Sequence, residues 1–487
     1  MRHNLRRFLI LFTLAVLVCS SALVNPSAGS SADRAYSHVE NIVSIGPRFA
    51  GTAAEAMAAS YIENEFKRYG FEVWIENFII QNSYTIEENY LHVISPEQFD
   101  LDFVPIIYSP SAENVTGKLA NVVELSANYG QLQNKFVLIG RGNLERFIGG
   151  LTGAPPLAVL TYYENWPPYS EMWTAELDSP VLWISWEDAQ HLIELLAVDN
   201  VEIGLQFKVR VENSMSQNVV ALMRGQKDEI IIVGAHHDSM LTPGAIDDAS
   251  GVAVVLEIAH ILSAENLART VLFTSFGGEE LGLLGSADFA RRHAENNIVA
   301  VIIFDVIAPG PENGLRIGLE GPREYATTEW LDAYAQELAE NMGFYAKSED
   351  IYTIEGYSDY ASFTDLNVPG TWIYWVNPEH DEAIWPTHTL SDNLDVVDET
   401  RLEQTVTFGA ELVRRLAAED FEALQWKYGF PMRAAFFIVI VLGVAAISMG
   451  VSCFLYYKRR WRPAHAASIT IVAVITSILI GGALLLI

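Results

Sequence analysis

Side chains of the kind that bind metal ions or move protons recur where apolar runs end in this chain. The run IIVGA, Ile231 to Ala235, leads into His236, His237 and Asp238. PGAIDDASG, Pro243 to Gly251, carries Asp247 and Asp248, and FTSFGGEELGLLGS, Phe273 to Ser286, carries Glu279 and Glu280. VAVIIFD ends on Asp305, and PTHTLSDNLD, Pro386 to Asp395, carries His388. A buried strand that stops in such residues is where an open α/β sheet places its chemistry.

Imidazoles and carboxylates without a thiolate suit a catalytic zinc, or two zincs bridged by one carboxylate. In an extended His236-His237-Asp238 the first and third side chains share a side. Asp238 is thus placed to accept the second ring N–H of a metal-bound His236 and hold the ring, while His237 points away and is structural. The adjacent Glu279 and Glu280 must point in different directions. One can bind metal while the other faces substrate and water as the general base. An exposed acidic helix start would look the same in isolation. The buried strand before the pair and the small-residue run after it favour the chemical reading.

These residues need an α/β scaffold. Apolar β-branched runs at Glu229–Val233, Thr270–Ser275 and Ile298–Phe304 read as buried strands. Helical periodicity covers Ala53–Tyr69, Ser250–Leu262, Trp330–Met342 and Glu399–Leu416. Residues 84–211 differ: short strands dominate, only Glu187–Leu196 reads as a helix, and His92 and His191 stand alone. That stretch is expected to be a β-rich domain inserted into a discontinuous α/β domain, 33–83 plus 212–420.

The charge is −31, with 61 acidic and 30 basic residues. Such a balance excludes a nucleic-acid backbone as a general partner, because neutralising phosphates needs clustered Lys and Arg. The two cysteines, Cys19 and Cys453, lie in the terminal apolar runs, so the body has neither a disulfide nor a thiol nucleophile. Residues 1–30 have the basic start and short apolar core of a secretory signal. Near the other end, 434–457 and 466–487 are long and apolar enough to span a bilayer. The basic loop 458–465 between them, with Lys458, Arg459, Arg460 and Arg462, is expected on the cytoplasmic side. The membrane is therefore an expected partner, with the catalytic domain extracytoplasmic.

GAHHDS, PGAIDDASG, FGGEELGLLGS, the strand ending in Asp305 and PTHTLSDNLD together resemble the zinc exopeptidases that include aminopeptidase Y and the bacterial secreted leucyl aminopeptidases. The resemblance extends over about Ala35 to Leu416. It implies an α/β/α sandwich with a mixed sheet and two co-catalytic zinc ions. By motif, His236 and Asp305 would bind one zinc, Glu280 and His388 the other, and Asp247 would bridge them through a cis Asp247–Asp248 peptide. Glu279 would carry the proton from water to the leaving amine, and Asp238 would orient His236. NKFVLIGRG and PLAVLTYY in the inserted region resemble a protease-associated domain. Ile246 and Tyr360 depart from the common pattern, where Asn or Asp and a Ser-Asp-His form stand, and an altered pocket shape is expected there.

The activity implied is aminopeptidase action on peptides with a free N-terminus. The same scaffold also serves carboxypeptidases of the glutamate carboxypeptidase type, although no arginine cluster suited to an acidic substrate lies near the motifs. A single-zinc glutaminyl cyclase is disfavoured because donors for both metals are present. A receptor-like binding protein is disfavoured because the five ligand positions and Glu279 are retained.

Overall fold

The computed structural model describes residues 30–122, 132–151, 154–173, 176–310, 316–320, 329–348, 358–376 and 386–429, together with the single positions 443 and 447. Strands β1 (Glu72–Ser95), β2 (Phe99–Asp100), β3 (Phe103–Pro105), β4 (Ala112–Asn121), β5 (Lys135–Gly140), β6 (Ala158–Tyr162) and β7 (Val181–Ile184) precede the long β8 (Glu202–Met223). They are followed by β9 (Lys227–His236), β10 (Arg269–Phe276), β11 (Ile298–Phe304), β12 (Arg316–Glu320), β13 (Ala346–Ser348) and β14 (Gly370–Val376).

One half of the sheet runs β13-β12-β14-β11-β9-β10-β8 and is mixed. Its centre, β14-β11-β9-β10, is parallel; β8 is antiparallel to β10, and β12 is antiparallel to β14 but parallel to β13. Alternation along these strands divides two cores, as the pleat requires. Ile231, Val233, Val271, Phe273 and Ile302 face the helices Ser31–Val43, Ala53–Arg68, Ser250–Leu262, Glu329–Asn341 and Glu399–Ala418. Ile232, Leu272, Val301 and Ile303 face the other way, onto Phe289 of helix Leu284–Arg292 and Phe363 of helix Ala361–Thr364. Helix Ser250–Leu262 is buried nearly all round, which suits its position against the sheet.

The other half, β8-β4-β5-β6-β7-β3, has a core of its own built from Phe136, Leu138, Leu160, Leu182, Leu192 and Phe207 among others. Helices Leu144–Gly150 and Trp186–Val198 cover it. The expected boundaries near residues 84 and 211 do not fall in linkers. They lie inside β1 and β8, which pair antiparallel from Glu72↔Leu222 to Ser95↔Glu202 and pass from one core to the other as a continuous ribbon. Polar residues such as Asn82, Ser83, Asn213 and Ser214 interrupt the apolar pattern without breaking the pairing, apart from a register shift between Ile80 and Ser83.

The expected secretory signal and the spans 434–457 and 466–487 lie outside the described residues. Among the described residues no helix is long and apolar enough to cross a membrane.

Candidate metal centre

Three parallel neighbours, β11, β9 and β10, end at one edge of the sheet, and their C-terminal residues open the site. His236 closes β9 in register with Phe276 of β10. Ile303 of β11 is in register with Gly234, so Asp305 leaves its strand level with His236. Glu279 and Glu280 follow β10 by way of Gly277 and Gly278. Asp247 comes from the turn Ala245–Ala249, whose Asp247–Asp248 peptide is cis, as the motif resemblance implies. Helix Ser250–Leu262 starts there, and its second residue must be glycine: a Cβ on Gly251 would sit 2.1 Å from the Phe304 carbonyl. His388 arrives last in sequence, from a loop, with a φ of 59°.

The structure brings all five expected ligand positions together. His236 Nε2 lies 3.1 Å from Asp247 Oδ1 and 3.5 Å from Asp305 Oδ1. His388 Nε2 lies 3.2 Å from Asp247 Oδ2 and 2.9 Å from Glu280 Oε2. The two oxygens of Asp247 thus face two different histidines. Donor atoms of Asp247, Glu280 and His388 lie within 4.8 Å of one another, and so do those of His236, Asp248 and Asp305. Asp248, however, has its oxygens engaged: Oδ2 accepts the His236 N–H at 3.2 Å and Oδ1 the Gly251 N–H at 2.8 Å. Asp247 is therefore the better third donor beside His236, and Asp248 fastens the strand end to the helix start.

These residues fit a divalent cation. His236 Nε2 and Asp305 Oδ1 are both buried without a hydrogen bond, a costly arrangement unless something else satisfies them. Burial opposes a charged imidazole at His236, yet Glu279 and Asp305 hold its pKa well above the ordinary value. Burial likewise opposes charge on His388, and Glu280 and Asp247 raise it well above that value. Burial, helped by repulsion from Glu280 and Asp305, pushes Glu279 well above the usual carboxylate range. Such a cluster carries more negative potential than its own imidazoles can balance, and two nitrogen and three carboxylate donors match the preferences of zinc.

Asp238 departs from its expected role. His236 Nδ1 is nearer the Asp238 backbone carbonyl, at 3.2 Å, than the carboxylate, at 3.6 Å. The carboxylate instead accepts the backbone N–H groups of Glu279 at 3.1 Å and Glu280 at 3.2 Å. Nothing in the extended spacing shows the loop after β10 folding back over Asp238, so the period-two argument identified the side but not the partner.

His237 points away as expected, its ring held by Ser275 Oγ at 2.9 Å, and burial lowers its pKa to about 4. Ile246 and Tyr360 sit at 0% and 1% exposure in the core beneath the site.

Several supporting residues carried no distinct sequence signal. The Asp392 carboxylate accepts the N–H of Ile246 at 2.6 Å and of Asp247 at 3.1 Å. Ser358 Oγ donates to Asp305 Oδ2 at 2.7 Å. Arg48, fully buried, donates to the carbonyls of His237 at 3.0 Å, Pro243 at 2.6 Å and Gly244 at 2.8 Å. Asp392 and Ser358 lie beside recognisable motifs, whereas Arg48 lies nearly 200 residues from its partners and is legible only in three dimensions.

Known proteins share this arrangement of sequence and fold. Residues 218–413 match the model of peptidase family M28. Aminopeptidase YwaD of Bacillus subtilis (strain 168) is 26% identical over 438 residues, covering 82% of this chain and 92% of that one. Leucine aminopeptidase 2 of Arthroderma otae is 26% identical over 357 residues, 69% of each chain. The solved structure of BSAP, a zinc aminopeptidase from Bacillus subtilis, superposes with a TM-score of 0.61 at 25% identity, over 79% of this chain and 95% of that one. Residues 218–413 thus match peptidase family M28, and over most of its length the chain is similar to aminopeptidases, one of them a zinc enzyme.

Proposed function

We propose that the chain is a di-zinc aminopeptidase, held at a membrane by the apolar runs 434–457 and 466–487 with the catalytic domain outside the cytoplasm. The observation that carries the two-ion reading is the Asp247 carboxylate, with one oxygen 3.1 Å from His236 and the other 3.2 Å from His388. His236 and Asp305 would hold one ion, Glu280 and His388 the other, and Asp247 would bridge. When bound, zinc supplies a Lewis acid for the scissile carbonyl and lowers the pKa of water.

The chain's own residues do the rest. Asp238 fixes the backbone from which Glu279 projects, and the Glu279 carboxylate takes the proton of the attacking water and gives it to the leaving amine. The water oxygen joins the carbonyl carbon, the C–N bond breaks, and the transferred proton ends on the new amino group. The zinc aminopeptidases among the relatives support N-terminal residues as the product.

The anchoring half of the proposal rests on the apolar runs 434–457 and 466–487, on the basic loop between them, and on the signal-like first 30 residues. Residues 84–211 fit a protease-associated module through NKFVLIGRG and PLAVLTYY. The test is hydrolysis of aminoacyl-anilides and of N-blocked peptides by the full chain in detergent, with and without zinc. Zinc-dependent release from free N-termini is expected, and cleavage confined to blocked peptides would refute the aminopeptidase assignment. For the anchor, carbonate-washed membranes should retain the protein, and intact cells treated with external protease should lose the catalytic domain.

A further inference from the structure

The second core, built mainly from residues between 84 and 211, sends a strap into the metal centre. Ser170 donates its backbone N–H to the His388 carbonyl at 2.7 Å, and Leu390 donates to the Pro168 carbonyl at 3.2 Å. Tyr169 and Thr389 form an antiparallel bridge. The Tyr169 hydroxyl stands 3.5 Å from His388 Nδ1, behind the Nε2 that faces Asp247 and Glu280. On the other side of the strap, the Leu241 N–H reaches Ser170 Oγ at 3.4 Å, and the adjacent Met240 donates its N–H to Glu280 Oε1 at 3.1 Å.

The strap is anchored in its own core. Arg141 donates to both oxygens of Glu171, at 3.0 and 2.9 Å, and Trp183 Nε1 donates to Glu171 Oε1 at 3.0 Å. The Tyr169 ring packs edge-on against Trp183. His388 itself has a left-handed backbone, which a side-chain-bearing residue adopts only when its surroundings impose it. Among the described residues, the Ser170 N–H is the backbone donor that holds its carbonyl.

We propose that the Pro168–Ser170 strap is a positioning device through which the second core sets the His388–Glu280 half of the metal centre. Tyr169 is a positioning residue: an imidazole that ligates through Nε2 keeps its proton on Nδ1, and an oxygen accepting that proton fixes tautomer and ring angle. The proposal rests on the reading of His388 and Glu280 as ligands of one of two ions. It gives the second core a part in metal retention as well as in the shape of the molecule.

The test is zinc titration of the chelator-stripped full chain in detergent, for the wild type, Tyr169→Phe and Glu171→Gln, with circular dichroism to establish that each variant is folded. Loss of a second-sphere partner weakens metal binding roughly 10- to 100-fold. Tyr169→Phe is expected to weaken one of the two equivalents by about that factor while the other is held as in the wild type. Glu171→Gln, which frees the strap from Arg141 without touching the centre, should act on the same equivalent, several-fold. Unchanged affinity for both equivalents in Tyr169→Phe, or an equal fall in both, would overturn the proposal. A wild type that takes up a single equivalent would overturn the two-ion reading beneath it, a separate result because it needs no variant.

Discussion

The Asp238 carboxylate lies beneath the Glu279 backbone and accepts its N–H at 3.1 Å, while the Asp238 carbonyl accepts from the His236 ring at 3.2 Å. One residue thus sets both His236 and the backbone of the proposed acid-base group Glu279, by different atoms. Asp238→Asn keeps the carbonyl but replaces one acceptor oxygen with a donor, turned toward a backbone N–H. It should lower kcat by about 10- to 100-fold, the cost of a lost supporting partner, with little change in KM. Steady-state kinetics on an aminoacyl-anilide check this, together with zinc content, which should stay near that of the wild type.

Asp392 supports Asp247 from behind. Burial, with repulsion from Asp247, raises its pKa to about 8, so its hold on the Ile246 and Asp247 N–H groups is an interaction between buried groups. Asp392→Ala strands two buried donors at about 1–3 kcal/mol each. The variant should unfold earlier in urea and lose zinc at lower chelator concentration than the wild type. Equal zinc retention would show that Asp247 holds its place without this support.

Arg48 ties the loop before helix Ala53–Arg68 to the segment leading into the turn that carries Asp247. Replacing it by Met leaves the carbonyls of His237, Pro243 and Gly244 without their donor, which should cost about 1–3 kcal/mol for each that stays unsatisfied. Arg224→Met provides the contrast: its pair with Glu72 is at 74% and 65% side-chain exposure, where loss costs about 0–1 kcal/mol. Urea unfolding of both variants measures the difference.

Much of this centre was legible in the sequence because its chemistry sits where hydrophobic periodicity stops. His236, Glu279, Glu280 and Asp305 follow strands whose apolar runs need no tertiary information, and the turn with Asp247 and Asp248 precedes a strongly apolar helix. What the sequence hid depends on long-range return of the chain. The carboxylate of Asp238 finds residues 279 and 280, Arg48 finds residues 237–244, and Tyr169 finds His388. The ribbon of β1 and β8 was hidden for another reason: exposed polar positions such as Gln81, Asn82, Glu212 and Asn213 break its apolar alternation while its backbone ladder continues.

Away from the centre, Glu257 supplies a pH-dependent contribution. Burial alone would raise its pKa, but His38, whose Nε2 is 3.7 Å away, and the Arg34 guanidinium hydrogen-bonded to both of its oxygens outweigh that and hold it below the ordinary 4.5. A group depressed in the folded state stabilises the fold above its unfolded pKa, and that contribution disappears as pH falls through the folded value. The stability gap between wild type and Glu257→Gln should therefore be full at neutral pH and shrink as pH drops below about 4.5. Urea midpoints at a series of pH values check it, and a gap independent of pH would contradict the assignment.

The central claim is that Glu279 moves the proton in a centre held by two zinc ions. The most direct measurement pairs zinc stoichiometry with turnover of an aminoacyl-anilide, for the full-length wild type and Glu279→Gln. The predicted result is two zinc ions per chain in both proteins, with turnover reduced by about 100-fold or more in the variant. Turnover of Glu279→Gln close to that of the wild type at equal zinc content would contradict the account.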